Sequence, residues 1–301
     1  MSQESQRKPR YLAIDGGGTK TAFLLTDENG HEVKSITLGA TNPNDIGMEK
    51  SKEILRQGIQ LLCGDTCENI ILYAGIAGAR TGRNKEYLHQ FLSKFGFERY
   101  GCGSDIDNLL ALGDHAQQIF MILGTGIIAF AKRGDALFRI AGWGQLFDGG
   151  GSGYDLGRDA ICAALYASDG TGPKTMLSEL LRCELEENPA DHLAAFYAGG
   201  KRYIASFARL IFEASVYGDE VAERILQRNV EHIVEILRAG AARLDVSPVE
   251  VLMTGGLIDA QHEKILPLLT QKLDTGFRLK HSKLPPIYGA LRLAQKEKKE
   301  C

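Results

Sequence analysis

Short apolar runs separated by polar turns dominate the first third of the chain. Three of them, at 11–14, 22–26 and 33–38, have the length and composition of β-strands. Helix-spaced apolar residues then alternate with two further strand-like runs. The predicted elements are a helix capped by Asn44 or Asp45, a strand at 70–73, a helix at 84–95, a strand at 98–102 and a short helix at 109–115. This order predicts a mixed sheet flanked by helices.

The same order begins again near residue 117. Runs at 119–123, 127–131 and 136–140 predict three more strands. The elements predicted after them are helices at 154–168, 175–186, 201–216 and 220–239, a strand at 251–253, a helix at 261–273, a strand at 277–280 and a last helix from Pro286. Two halves with one opening pattern indicate a duplicated α/β unit. We therefore expect two domains, 1–117 and 118–301, the second with a helical insertion and with a last helix, 287–301, that is a candidate to pack back on the first domain.

Composition narrows the class of protein. The 301 residues are 44% hydrophobic and 24% charged, with a net charge of −3, which is typical of a folded globular protein. This charge balance predicts no broad basic surface for nucleic acid. No apolar run approaches the roughly 20 residues that span a membrane. Because the polar start, 1–10, has the pattern of neither a signal peptide nor an anchor, we expect a cytoplasmic protein.

Glycine is in clear excess, with 35 residues against 8 prolines. The glycines cluster beside the strand-like runs, at 16–18, 124–126, 142–144, 149–153 and 255–256. Glycine accepts positive φ and lets a ligand approach the backbone, so these clusters predict turns that wrap a ligand, with tight hairpins as the structural alternative. The six cysteines, at 63, 67, 102, 162, 183 and 301, form no C-x-x-C pair and indicate no zinc site.

The first glycine cluster has the clearest chemistry. The run 13–21 reads Ala-Ile-Asp-Gly-Gly-Gly-Thr-Lys-Thr, with Asp15 at the end of a predicted strand. Backbone N–H groups, the Thr19 hydroxyl and the Lys20 ammonium suit a phosphate chain, and the carboxylate suits Mg²⁺. The run is not a Walker A motif, and a strand rather than a helix follows it. It therefore predicts a phosphate clamp of the strand–loop–strand type.

This clamp resembles the first phosphate motif of the actin/hexokinase/Hsp70 ATPase superfamily. The run 122–126, Ile-Leu-Gly-Thr-Gly, resembles the second phosphate motif, and 253–257, Met-Thr-Gly-Gly-Leu, resembles the adenosine motif. The runs 142–144, Gly-Trp-Gly, and 151–158, Gly-Ser-Gly-Tyr-Asp-Leu-Gly-Arg, resemble the BadF/BadG/BcrA/BcrD ATPase family, which includes N-acetylglucosamine kinases. The resemblance implies an α/β fold of two ribonuclease-H-like domains of the actin/hexokinase type, with mixed sheets flanked by helices and an interdomain cleft.

The resemblance implies a phosphotransferase with an alcohol acceptor. The expected reaction uses ATP and Mg²⁺ to phosphorylate the 6-hydroxyl of an N-acetylated amino sugar. N-acetylglucosamine is the first candidate, and N-acetylmuramic acid or glucosamine are the others. Some family members are instead ATPase activators of dehydratases or reductases with a shared iron–sulfur cluster, but their Gly-Gly-Gln-Asp motif is missing here. A non-catalytic nucleotide- or sugar-binding protein is a further alternative, and a homodimer is compatible with all three.

The resemblance also assigns site residues. Asp107, four residues before Ala111, is the expected general base, and Asp105 is the alternative, although either carboxylate could instead cap the following helix. Asp15 is the expected Mg²⁺ residue. The expected ATP contacts are Gly17, Gly18, Thr19, Lys20, Thr125, Gly255 and Gly256. The expected sugar contacts are Asn42, Asp107, Gly126, Trp143, Gly144 and Asp148.

One segment departs from the family pattern. Kinases of the family read Gly-Trp-Gly-x-x-x-Gly-Asp-Glu-Gly-Ser-Gly, whereas this chain has Gly149 and Gly150 in place of the Asp and the Glu. The family Asp contacts the sugar. Asp148, one position earlier, is the candidate substitute if the glycine-rich loop shifts. Otherwise the pocket has changed, and the choice of sugar changes with it.

Overall fold

The structure is a computed structural model that describes residues 8–64 and 66–297. These residues form two compact units, one containing the described residues up to Asp114 and from Leu284 onward, the other 115–283. The helix that follows Pro286 therefore belongs to the first unit, while the domain limits 1–117 and 118–301 stay a prediction. Two predicted segments lie partly outside the described residues. They are the polar start, of which 1–7 are outside, and the terminal helix, of which 298–301, including Cys301, are outside.

The first unit has one five-stranded sheet. Its strands are β1 (Arg10–Gly16), β2 (Thr21–Thr26), β3 (Glu32–Leu38), β4 (Ile70–Ile76) and β5 (Arg99–Gly103). Its helices are α1 (Pro43–Ile46), α2 (Met48–Cys63), α3 (Asn84–Leu92) and α4 (Asp105–Leu110), together with α11 (Ile287–Lys296) from the far end of the chain. The strand order is β3-β2-β1-β4-β5, in which β1 is antiparallel to β2 and parallel to β4.

Alternation along β1 builds a core on each face of this sheet. Leu12 and Ile14 belong to a buried cluster that includes Leu55 of α2, whereas Tyr11 and Ala13 belong to one that includes residues of α11. Successive side chains of a strand point to opposite faces, so a strand buried on both faces is apolar throughout. The continuous apolar run of β1 is the sequence signature of this position.

The second unit repeats the same sheet. Its strands are β6 (Gln117–Leu123), β7 (Ile127–Arg133), β8 (Ala136–Ala141), β9 (Val249–Thr254) and β10 (Phe277–His281), in the order β10-β9-β6-β7-β8. Read from β8, this order and its strand directions match those of the first sheet. The helices are α5 (Gly153–Asp169), α6 (Leu177–Leu185), α7 (Leu193–Ser206), α8 (Ala208–Val216), α9 (Glu220–Ala241) and α10 (Gly256–Lys272). The predicted duplication is therefore present in the sheet topology.

Four predicted helices are wrong in their bounds or their cap. The helix expected after a cap at Asn44 or Asp45 is α2, which begins at Met48 after Gly47, and the helix expected at 261–273 is α10, which begins at Gly256. The helix expected at 109–115 is α4, which begins at Asp105 because the Ser104 hydroxyl accepts from the Ile106 N–H at 3.3 Å and caps it. The helix expected at 201–216 is two helices, α7 and α8, and α7 itself is kinked at Gly200, where φ is 65°. Within the described residues, no helix combines the length and apolarity that crossing a membrane requires.

Candidate active site

The turn between β1 and β2 contains the predicted phosphate loop. The Gly17 N–H donates to the Lys20 carbonyl at 2.9 Å and closes the turn. Gly18, Thr19 and Lys20 are exposed, and the positive charge of Lys20 acts on Asp15, whose pKa it lowers. The structure thus brings the predicted ATP contacts of this loop together, next to Asp15 at the end of β1.

Asp15 is a half-buried carboxylate with one strong polar contact. Asn108 Nδ2 donates to its Oδ1 at 2.8 Å, and Oδ2 has no hydrogen-bond partner in the described part of the chain. Burial raises the pKa of Asp15 to about 6, the Asn108 hydrogen bond opposes the rise, and the charge of Asp105 adds to it. Asp15 and Asp105 are therefore electrostatic neighbours at the edge of the first sheet.

The two candidate bases lie on the first turn of α4 in different surroundings. Asp107 accepts from the Ser104 N–H through Oδ2 at 2.7 Å and from the Arg80 guanidinium through Oδ1 at 2.5 Å. Asp105 accepts from the Ser104 hydroxyl and the Ile106 N–H through Oδ1, at 2.8 and 3.0 Å. Asp105 Oδ2 has no partner among the described residues. Burial raises the pKa of Asp105, while the Ser104 and Ile106 donors counteract the rise.

Asn42 begins α1 beside the phosphate loop. Its Oδ1 accepts from the Asn44 N–H at 3.1 Å and its Nδ2 donates to Asp45 at 2.7 Å, so its amide is already engaged within the turn. The preceding Thr41 is fully buried, with its hydroxyl 2.8 Å from that of Thr21. A Cβ on Gly78 would lie 2.2 Å from Asn42 Oδ1, so the loop after β4 packs directly on this residue.

The second predicted phosphate loop joins β6 to β7. The Gly124 N–H donates to the Gly126 carbonyl at 2.9 Å and forms the turn that contains Thr125. The first residues of α5 pack onto it, because the N–H groups of Gly153 and Tyr154 donate to the carbonyls of Gly124 and Thr125, at 2.8 and 3.0 Å. The start of α5 therefore holds the loop, and Gly126 is exposed.

A pocket of about 290 Å³ adjoins this loop within the second unit. Its lining comes from the Gly124 turn, α7, α8 and the start of α10, and includes Thr125, Arg202, Ser206, Arg209, Gly256 and Gln261. Arg209 is paired with Glu184 and lies 3.9 Å from Glu213, whereas Arg202 has no partner among the described residues. Gly255, next to the pocket, has φ of +112°, and a Cβ there would lie 2.6 Å from the Leu123 carbonyl oxygen.

The Trp143 loop follows β8. Gly142 and Gly144 on either side of the tryptophan have φ of +101° and +99°, and Trp143 itself is 58% exposed. Asp148 accepts from the N–H groups of Gly142 and Gly144, at 3.1 and 2.8 Å. The Asp148 side chain therefore closes the turn around Trp143.

The two glycines that replace the family Asp and Glu are closely packed against α9. A Cβ on Gly149 would lie 2.6 Å from His232 Cε1, and one on Gly150 would lie 3.2 Å from Asn229 Oδ1. Gly150 also has φ of +148°. A side chain at position 149 would require the His232 ring to move, so His232 and Gly149 are sterically matched.

The five cysteines within the described residues are unpaired thiols. No group of three or more His, Cys, Asp or Glu side chains in that part of the chain is arranged to hold a metal ion. A divalent cation at Asp15 would therefore take water or phosphate oxygens among its ligands, which is a common arrangement for Mg²⁺.

The statistical model of one protein family matches residues 12–294, nearly the whole chain. The chain belongs to the BadF/BadG/BcrA/BcrD ATPase family. The resemblance of the glycine-rich motifs to this family is confirmed. Membership of an ATPase family implies that the chain uses ATP.

Curated proteins similar to this BadF/BadG/BcrA/BcrD family chain are sugar kinases, and candidate sugar kinases are among the solved structures that share its fold. It is 26% identical to the N-acetyl-D-glucosamine kinase of Dictyostelium discoideum, over 97% of this chain and 99% of the relative. It is 29% identical to the N-acetylmuramic acid/N-acetylglucosamine kinase of Clostridium acetobutylicum, over 82% of this chain and 85% of the relative. A solved structure of a candidate N-acetylglucosamine kinase from Chromobacterium violaceum matches with a TM-score of 0.76 and 23% identity, over 96% of this chain and 100% of the other. The fold is confirmed as that of the actin/hexokinase type.

The sequence patterns did not identify four polar residues that lie at the predicted sites of this BadF/BadG/BcrA/BcrD family chain. Asn108 contacts Asp15, Arg80 pairs with Asp107, and Arg202 lines the pocket beside Thr125. Arg139 lies with its guanidinium carbon 5.3 Å from the centroid of the Trp143 ring. Only Asn108 has a signal in the sequence that could have identified it, because it is a polar residue directly before the apolar pair 109–110. The three arginines lie in segments whose local pattern does not distinguish them from solvated surface residues.

Proposed function

We propose that the protein is an ATP- and Mg²⁺-dependent kinase that transfers the γ-phosphoryl group to the 6-hydroxyl of an N-acetylated amino sugar. N-acetylglucosamine is the first substrate to test, followed by N-acetylmuramic acid and glucosamine. The curated relatives support this proposal, because both are kinases of amino sugars. The observation that carries it is the Asp105 carboxylate, which has an oxygen without a partner in the described part of the chain and whose charge acts on Asp15.

The proposed general base is Asp105 rather than Asp107. A general base must accept a proton through an oxygen that can reach the attacking hydroxyl. Both oxygens of Asp107 already accept hydrogen bonds, Oδ2 from the Ser104 N–H and Oδ1 from the Arg80 guanidinium. Asp105 keeps one oxygen without a partner among the described residues, and burial raises the pKa of its carboxyl group. In this proposal Asp107 serves α4 as part of its capping box.

Asp15 is the residue proposed to hold Mg²⁺. Its Oδ2 has no partner among the described residues, and its burial disfavours an uncompensated negative charge. A divalent cation would compensate that charge, so the residues present fit the ion. When bound, Mg²⁺ neutralises the charge that develops on the transferred phosphoryl group. Asn108 keeps the carboxylate oriented by its hydrogen bond.

Residues of both units are proposed to contact the nucleotide. In the first unit, the Gly18 N–H with Thr19 and Lys20 offers donors and a positive charge to the phosphates. Gly17, whose own N–H closes the turn on the Lys20 carbonyl, stays in the proposed set as part of this loop. In the second unit, Thr125 and Gly256 line the pocket of about 290 Å³, and no atom lies within 4 Å of a Cβ on Gly256. With the preceding Gly255, they are the proposed adenosine contacts. We add Arg202 to this set, because its unpaired guanidinium in the pocket lining suits an anionic ligand.

The sugar contacts proposed are Asn42, Gly126, Trp143 and Gly144. The exposed indole of Trp143 can pack on the apolar face of a pyranose ring, and the Asn42 amide can exchange a turn contact for a sugar hydroxyl. Asp148 is not in this set, because both of its carboxylate oxygens accept from N–H groups of its own loop. A cytoplasmic location and a homodimer are also part of the proposal.

The test is an ADP-release screen of the purified chain with ATP and Mg²⁺ over amino sugars and their N-acetyl forms. We expect release only with an acceptor present, and a product whose phosphorus–proton couplings place the phosphate on C6. The Asp105→Asn variant, purified in parallel, controls for contaminating kinases. ADP release that ignores every sugar would favour the ATPase-activator alternative. Binding of ATP and sugar without sugar phosphate would favour the non-catalytic alternative.

A further inference from the structure

The Trp143 loop is held mainly by one side chain of its own. Asp148 Oδ1 accepts from the Gly142 N–H at 3.1 Å and Oδ2 accepts from the Gly144 N–H at 2.8 Å. The Gly144 carbonyl in turn accepts from the Phe147 and Asp148 N–H groups, both at 2.9 Å. Each Asp148 oxygen therefore binds a backbone group that flanks the tryptophan.

Apolar packing contributes little to this loop. Leu146 and Phe147 are 80% and 79% exposed, and Trp143 is more than half exposed. The loop also requires positive φ at both Gly142 and Gly144. Because glycine adopts negative φ about as readily, these two residues do not by themselves fix the conformation of the loop. The loop conformation must therefore depend on the Asp148 hydrogen bonds.

A second contact acts on the indole itself. The Arg139 guanidinium carbon lies 5.3 Å from the Trp143 ring centroid and 5.6 Å from the Phe130 ring centroid. Phe130 is buried in β7, so Arg139 links the exposed tryptophan to the sheet. A guanidinium within about 6 Å of an aromatic face is attracted to it. Arg139 has no acidic partner among the described residues.

We propose that Asp148 and Arg139 are positioning residues that fix Trp143 for the acceptor sugar, Asp148 through the backbone and Arg139 through the ring. This inference rests on the proposed function, because the proposed function identifies the ligand of Trp143 as a sugar. In this inference Asp148 does not contact the sugar directly, because both of its carboxylate oxygens already accept hydrogen bonds from N–H groups of the loop. The Trp143 side chain, not Asp148, then meets the substrate.

The chain contains one tryptophan, so its fluorescence reports on position 143 alone. For Asp148→Ala without any ligand, we expect a larger amplitude of fast depolarisation in time-resolved anisotropy and easier quenching by acrylamide. Asp148→Asn keeps one neutral acceptor and should give an intermediate change. Arg139→Ala should alter the quenching, and Arg139→Lys, which keeps a cation, should restore part of it.

Kinetics separates positioning from chemistry. Loss of the Asp148 bonds should raise the KM for the sugar about tenfold, the range expected for one charge-assisted hydrogen bond, and should change kcat by less than about threefold. The KM for ATP should stay constant. Asp135→Ala is the matched control, because Asp135 is an exposed aspartate in the β7–β8 turn, at the opposite end of β8 from Trp143. Circular dichroism of each variant establishes that it is folded.

Two results would overturn the inference. One is an Asp148→Ala protein with wild-type anisotropy and wild-type sugar KM. The other is a loss of kcat greater than about a hundredfold with unchanged tryptophan signals, since direct participation in the reaction would produce that pattern. If the wild-type chain phosphorylates no sugar, the proposed function fails, whereas the ligand-free anisotropy still decides whether Asp148 positions Trp143.

Discussion

Asn108 donates a hydrogen bond from Nδ2 to Oδ1 of Asp15 at 2.8 Å, which joins the first helix turn after β5 to the end of β1. The same Nδ2 lies 3.3 and 3.4 Å from the carbonyl oxygens of Ile14 and Gly75. A Cβ on Gly75 would lie 2.1 Å from Asn108 Oδ1, so this amide fills a space that only glycine leaves open. Asp15 is therefore held by a buried residue far along the chain.

The first prediction concerns stability and pH. The pKa of Asp15 rises from 3.8 to about 6 on folding, so the folded state binds the proton more tightly than the unfolded state. The stabilisation from protonation is fully present below pH 3.8 and is lost as the pH rises through about 6. Its full size is at most about 3 kcal/mol, from about 1.4 kcal/mol per pKa unit.

The measurement is urea unfolding of the ligand-free protein and of Asp15→Asn between pH 4 and pH 7. Because asparagine stays neutral, the stability difference between wild type and variant should shift against the wild type as the pH rises. Parallel pH curves for the two proteins would contradict the burial of an uncompensated Asp15 carboxylate.

The second prediction separates the two candidate bases. Asp105→Asn should lower kcat for sugar phosphorylation by about 10²- to 10⁴-fold, the usual contribution of a general base. Asp107→Asn should keep most of kcat but should lower the free energy of unfolding by about 1 kcal/mol, because it weakens the capping box of α4.

Coupled ADP-release kinetics and urea unfolding on the same preparations make this comparison. Each variant is the isosteric control for the other, since both replace a carboxylate by an amide on one helix turn. A large loss of kcat in Asp107→Asn with normal turnover in Asp105→Asn would restore Asp107 as the base.

The third prediction compares two adjacent glycines. Gly255→Ala should destabilise the protein by about 1–3 kcal/mol, because alanine at positive φ is strained and its Cβ would meet the Leu123 carbonyl oxygen. Gly256→Ala should not destabilise it, because no atom lies within 4 Å of a Cβ there. Instead, the added methyl group in the pocket lining should raise the KM for ATP. Thermal unfolding and ATP titration separate the two effects, and equal behaviour of the two variants would refute this account.

The fourth prediction tests Arg202 in the nucleotide pocket. Arg202→Ala should raise the KM for ATP about tenfold, since a charge-assisted hydrogen bond contributes roughly 1.5–3 kcal/mol, and added salt should weaken ATP binding less than in the wild type. Lys201→Ala is the matched control, because Lys201 is an exposed neighbour outside the pocket lining. An unchanged ATP affinity in Arg202→Ala would remove Arg202 from the proposed nucleotide contacts.

Much of the fold follows from local sequence patterns. The apolar run of β1 and the glycines after it predict a buried strand and a tight turn, and the structure has both. The second copy of that pattern predicts the matching sheet that β6 and β7 begin. Helix bounds were less predictable, because the start of α4 depends on the Ser104 cap and the kink of α7 depends on Gly200.

The sequence by itself determined the family, the two α/β halves and the loops that gather glycine, threonine and lysine, because these features depend on residues close together in the chain. Only the tertiary structure shows that Asp107 pairs with Arg80, 27 residues away, and that Asp105 accepts from other donors. It alone placed Asn108 on Asp15 and α11 on the first sheet, contacts between distant segments that local periodicity does not encode. Burial and hydrogen-bond partners, which set the chemistry of a carboxylate, are properties of the packed chain.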